Sequence, residues 1–161
     1  MMVADTGPMI AFARIGHLDL LHQVVGELVI PEAVYEELTG QGQERAGAAE
    51  ATRGDWIQRR IVGDHAMVAQ LPHVLHAGER EAIVLAEELH APLLIDEQRG
   101  RNMATARGVT VLGSLRILIE AKQRGLIDRA QPLLETMLAA GYWIDAELFP
   151  PFFQEIGEQR S

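Results

Sequence analysis

The sequence predicts a three-layer α/β/α domain with a central parallel sheet, and three observations predict it. Short apolar runs recur along the chain, at Met1–Ala4, Leu28-Val29-Ile30, Leu93-Leu94-Ile95 and Val109–Leu112. Strands of this kind, without strict polar alternation, are covered on both faces. Stretches with helical spacing separate the runs, so successive strands are joined by crossovers rather than hairpins. The 161 residues, 48% of them hydrophobic and 23% charged, suit one domain that buries its own core without a disulfide or metal staple. That domain is expected to span 1–161, with 126–161 a C-terminal helical and aromatic extension packed on it.

The elements follow in order. Met1–Ala4 ends at Asp5-Thr6-Gly7-Pro8, a strand-to-helix turn with Pro at the helix start. Helical spacing covers Met9 to Ile15, and a second short helix covers Leu18–Val25. After the strand Leu28-Val29-Ile30, Pro31 opens a helix over Glu32–Thr39. Gly40 to Gly54 reads as a loop holding a short helix in Glu44–Arg53. Trp56 to Val62 is an edge strand, and Asp64–Gln70 is a short helix that Pro72 terminates. Glu79–His90 is a strongly amphipathic helix, followed by the strand Leu93-Leu94-Ile95. Gln98–Arg107 is helical with Gly108 as its stop, and Val109–Leu112 is a strand. Ser114 opens a helix to Arg124 that Gly125 ends; Asp128–Ala140 is helical and Gly141 stops it. An aromatic tail completes the chain, carrying five of its eight aromatics: Tyr142, Trp143, Phe149, Phe152 and Phe153.

Composition excludes several classes. There are no cysteines, which removes disulfide scaffolds, thiol chemistry and thiolate metal sites and favours the cytoplasm. No apolar run approaches the roughly 18 residues of a spanning helix, and the N-terminus lacks a signal-peptide layout. Phosphate-binding glycine loops are missing, and His73-x-x-His76 reads as a surface pair without a third ligand. The net charge of −9 argues against a nucleic-acid binder taken whole. It is unevenly spread, however: residues 1–97 carry −10, residues 98–129 carry +5, and residues 130–161, with Arg160 as their one base, carry −4.

Two acids stand at strand ends, Asp5 and Asp96. In an open parallel sheet this is the edge where ligands bind, although a lone Asp there also serves as a turn former. Helix geometry adds others. Glu37 lies on the flank of the helix after Pro31 while Glu36 points to solvent. Glu79 and Glu81 border opposite sides of the stripe Ala82, Leu85, Ala86, Leu89, and periodicity does not choose between them. Several carboxylates stay ionised together only when a cation neutralises them. An all-oxygen set selects Mg²⁺ or Mn²⁺, the ions that activate water and neutralise the leaving oxygen in phosphoryl chemistry. A phosphodiester hydrolase follows.

Five linked segments carry a resemblance. V-A-D-T-G-P-M-I-A-F-A-R-I-G-H-L-D-L-L (Val3 to Leu21), V-I-P-E-A-V-Y-E-E-L (Val29 to Leu38), G-E-R-E-A-I-V-L-A (Gly78 to Ala86), L-L-I-D-E-Q-R-G-R (Leu93 to Arg101) and G-S-L-R-I-L-I-E-A-K-Q-R-G-L-I (Gly113 to Ile127) together resemble the PIN-domain nucleases, in order, to about residue 155. The resemblance implies a PIN fold, an acidic Mg²⁺/Mn²⁺ site, cleavage of single-stranded RNA and a homodimer. It also implies the toxin role of a toxin–antitoxin pair, with a small antitoxin protein as partner. Carried over by position, the metal-holding acids are Asp5, Glu37, Glu81 and Asp96, with Glu97 the alternative to Asp96. Thr6 and Ser114 would orient ligands, and Arg99 and Arg101 would take neighbouring phosphates. Gly7 stands where the family commonly has Ser or Asn, which removes one polar neighbour. The competing reading from the acidic surface and aromatic tail is a catalytically weak or inactive protein-interaction module; a structure-specific DNA nuclease is a third.

Overall fold

The computed structural model describes residues 1–40 and 45–158. Five strands form one sheet: β1 (Met2–Ala4), β2 (Leu28–Pro31), β3 (Ile57–Arg60), β4 (Leu93–Leu94) and β5 (Val111–Leu112). Their order is β3-β2-β1-β4-β5 and every pairing is parallel. Val3 is opposite Val29 on one side and Leu93 on the other, and Leu94 is opposite Ala4 and Leu112. The strands alternate between two cores, because successive side chains leave a strand on opposite faces. Met2, Ala4, Leu28, Ile30 and Leu94 enter one core, and Val3, Val29, Leu93 and Ile95 enter the other.

Helices cover both faces. α1 (Thr6–Arg14), α2 (Leu18–Val25), α3 (Glu32–Thr39), α8 (Ser114–Gln123), α9 (Gln131–Ala139) and α10 (Phe149–Ile156) contribute to the first core. α5 (His65–Gln70), α6 (Ala77–Leu89) and α7 (Gln98–Ala106) serve the second, and α4 (Ala48–Arg53) lies in the loop region before β3. The expected start of that last helix at Glu44 lies outside the described residues, as does Arg160. Gly108 (φ 81°) and Gly125 (φ 73°) adopt the left-handed turns for which the sequence provides no side chain.

Among the boundaries that differ from the expected ones, two share a single reason. α1 begins at Thr6 and contains Pro8, and the aromatic tail forms a short turn (Ala146–Leu148) leading into α10, which contains Pro150 and Pro151. Proline in a first helical turn lacks only an N–H that would have had no intrahelical partner. The prolines therefore start these helices. α10 is tied down electrostatically: Glu158, just beyond it, accepts from Lys122 and from the Ala130 and Gln131 amides, and Arg116 pairs with Glu155. Among the described residues no helix is long and apolar enough to cross a membrane.

The central strands set the stability. Leu94 is fully buried in the strand beside β1. Leu94→Ala is expected to destabilise the protein by about 2–5 kcal/mol, measured as a lowered urea midpoint with an unchanged slope.

Candidate active site

The order β3-β2-β1-β4-β5 makes the boundary between β1 and β4 the point where crossovers diverge to opposite sides, and a crevice opens there at the carboxyl edge. Asp5 leaves the end of β1 and Asp96 lies two residues beyond β4, so parallel register makes them neighbours. Glu37 enters from α3 and Glu79 from the first turn of α6. These four acids, with the exposed Glu97, line a cleft of about 310 Å³.

Each wall is built from hydrogen bonds. Thr6 Oγ1 donates to Glu37 Oε2 at 2.6 Å, and the Gly78 amide donates to Glu37 Oε1 at 3.1 Å. The Ser114 amide donates to Asp96 Oδ1 at 2.8 Å, its hydroxyl donates to Oδ2 at 2.6 Å, and the Tyr142 hydroxyl also donates to Oδ2. The His76 amide donates to Glu79 Oε1 at 3.3 Å, which leaves Glu79 Oε2 buried and without a partner. Glycines keep the space open. A Cβ at Gly78 would stand 2.6 Å from Glu37 Oε1, one at Gly100 2.9 Å from Glu79 Oε2, and one at Gly113 2.8 Å from Asp96 Oδ1.

The electrostatics are those of crowded acids. Asp5, only 8% exposed, is pushed up to about 8 by burial first. The Thr6 amide opposes that, while Glu79, Glu37 and Asp96 add to it. Burial likewise raises Glu79, with Glu97 and Glu37 contributing and His76 opposing. A carboxyl kept neutral near pH 7 and an orphaned carboxylate oxygen fit a missing cation, and an all-oxygen set fits Mg²⁺ or Mn²⁺. The bonds from Thr6, Gly78, Ser114 and Tyr142 hold Glu37 and Asp96 to the walls, and among the described residues no three acids or histidines stand at ligand spacing.

One expectation is corrected. The structure does not bring Glu81 to the cleft: its Oε1 accepts the Ala33 amide at 3.1 Å, at the N-terminus of α3, a favourable position for a carboxylate. Glu79, on the opposite flank of α6, occupies the place instead. Its signal in the sequence is position, because the first turn of a helix following a sheet's carboxyl edge points back to that edge. Asp5, Glu37 and Asp96 are brought together, with Thr6 and Ser114 beside them; Glu97 stands at the rim.

Five bases of the window 98–129 are in ion pairs. Arg107 pairs with Glu87, Arg116 with Glu155, Lys122 and Arg129 with Glu158, and Arg124 with Glu120. Arg101 donates to the Ile95 carbonyl at 2.9 Å and lines a neighbouring groove with Asp96, while Arg99 is exposed. Residues outside the window complete the cleft: Arg45 and Tyr142 line it, and neither position has a local pattern that marks it.

Comparison with known proteins gives a family and a fold neighbour. A family model described as PIN domain matches residues 1–158. Among solved structures, a PilT N-terminus domain protein from the hyperthermophilic archaeon Sulfolobus solfataricus shares the fold, with a TM-score of 0.55 and 20% identity over 75% of this chain and 93% of that one. No curated protein matches the chain.

The raised Asp5 carboxyl makes stability pH-dependent. The native state holds its proton up to about pH 8, whereas an unfolded Asp releases it near pH ~4. Stability is therefore full below pH ~4 with respect to this group and falls as pH rises through 8. In chelator-treated protein, Asp5→Asn is expected to remove most of that fall and to melt a few degrees above wild type at pH ~8.5. Parallel melting curves for the two proteins across this range would contradict it.

Proposed function

This chain belongs to the PIN-domain family, and from that premise we propose that it is a divalent-metal-dependent endoribonuclease acting on single-stranded RNA as the toxin of a toxin–antitoxin pair. PIN domains are typically nucleases. The observation that carries the reading is the convergence of Asp5, Glu37, Glu79 and Asp96 at the β1/β4 switch point, with Asp5 held neutral and Glu79 Oε2 unpartnered. The four acids would hold Mg²⁺ or Mn²⁺. When bound, such an ion supplies Lewis-acid stabilisation of the scissile phosphate and lowers the pKa of water.

The protein's own part is preorganisation. Thr6 and the Gly78 amide orient Glu37; Ser114 and Tyr142 orient Asp96. Asp5 releases its proton when a cation replaces it as the neutralising charge, so metal affinity rises with pH through about 8. The toxin role rests on the five linked segments. Its test is growth arrest on expression, relieved by the product of an adjoining reading frame.

A second reading has one observation in its favour. The Tyr142 hydroxyl already engages Asp96, as an inactive interaction module would permit.

Cleavage and metal binding decide between the readings. Asp5→Asn and Glu79→Gln are each expected to lower RNA cleavage by at least about 100-fold, while Glu81→Gln leaves it within about threefold. The reverse pattern for the two glutamates would restore the assignment made from the family motif. Millimolar Mg²⁺ or Mn²⁺ should raise the wild-type melting temperature and not that of Asp5→Asn; equal behaviour of the two would favour the module.

A further inference from the structure

The acidic cleft contains an aromatic side chain that the metal site does not use. Trp143 lines it and is 72% exposed, the largest exposure of any large hydrophobic side chain among the described residues. Its position is anchored. The preceding Tyr142 donates its amide to the Met137 carbonyl at 3.1 Å and its hydroxyl to Asp96, and it sits against Gly7, where a Cβ would come within 3.2 Å of the Tyr142 oxygen. The indole is therefore held one residue from a contact to the site, in open solvent. Burial does not account for it: the tail's buried core residues are Ile144, Phe152 and Ile156.

The charge balance of the cleft makes such a ring useful. Five acids line it and Arg45 is the one lysine or arginine among its lining residues. Arg45 is exposed, makes no ion pair among the described residues, and is placed by the hydrogen bond that its backbone amide donates to the Leu38 carbonyl at 2.9 Å. Five of the seven bases in the 98–129 window are locked in ion pairs elsewhere. A nucleic-acid strand entering this cleft thus finds little of the usual basic surface. Base stacking on an aromatic ring is indifferent to that charge and tolerant of sequence.

We propose that Trp143 is a stacking platform for the base of a nucleotide flanking the scissile phosphate of single-stranded RNA, with Arg45 contacting the strand's phosphate at the same rim. This rests on the nuclease reading above and deepens it by naming how the strand is held. It makes Trp143 a substrate-binding residue that acts through affinity, with the chemistry left to the acids.

The test uses full-length protein and a short oligoadenylate, with Ca²⁺ in place of Mg²⁺ for binding and Mg²⁺ or Mn²⁺ for cleavage. In a Trp56→Phe background Trp143 is the remaining tryptophan, and its emission is expected to be quenched as the strand binds. Trp143→Ala should bind about tenfold more weakly, raise KM by a similar factor and leave kcat within about threefold, while Trp143→Phe recovers most of the loss. A single abasic nucleotide beside the cleavage position should weaken wild type by the same factor and Trp143→Ala hardly at all. Arg45→Ala should lower the salt dependence of binding by about one phosphate contact.

Unchanged affinity in Trp143→Ala, or equal loss on intact and abasic strands, overturns the stacking site while leaving the nuclease intact. Loss of a protein partner's binding with RNA binding retained overturns it in favour of an interaction surface. Wild-type protein that neither binds nor cuts RNA removes the nuclease reading and the stacking site with it. Melting temperatures of the variants, expected to match wild type at so exposed a position, exclude misfolding as the cause.

Discussion

Carboxylates gathered at the end of a buried parallel sheet repel one another, and much of this molecule's local structure answers that repulsion. Parallel register between β1 and β4 makes Asp5 and Asp96 neighbours, and α3 and α6 bring Glu37 and Glu79 to the same edge. In so enclosed a place a charge loses hydration and feels its neighbours strongly. The protein responds with donors: Thr6 and Gly78 on Glu37, Ser114 and Tyr142 on Asp96, His76 on Glu79. Asp5, buried at the end of β1, has its carboxyl pushed up to about 8 instead.

The glycines belong to the same constraint. Gly78, Gly100 and Gly113 each lie where a Cβ would press on one carboxylate, so three separate elements are pared back around a shared space. Only the hydrogen bonds that the carboxylates accept and the room left beside them are built in.

Charge elsewhere is spent on the fold. The basic segment 98–129 fastens α8, α9 and the C-terminal helix through Glu155 and Glu158, and ties α7 to α6 through Arg107 and Glu87. The tail also meets the sheet's carboxyl edge, where Tyr142 donates to Asp96 and lines the cleft with Trp143. The extension is therefore part of the site's wall.

Local signals settled much of this protein. Apolar runs and helical spacing determined a parallel sheet between helices, because both periodicities are properties of short segments. Asp5 and Asp96 were legible because each closes an apolar run of the sequence, and Glu37 because it lies on a flank of the apolar face of its helix. Other features depended on what packs against what. Glu79 and Glu81 flank one stripe symmetrically, and only α3 covering one side, with its free amides, turned Glu81 away and left Glu79 to the cleft. The partners of Arg116 and Lys122 in the +5 window come from the C-terminal segment, and spacing does not announce them. Tyr142 reaches Asp96 from 46 residues along the chain, a distance over which sequence spacing carries no information about contact. Segment periodicity thus determined the class and the edge, whereas long-range packing decided which side chains meet there.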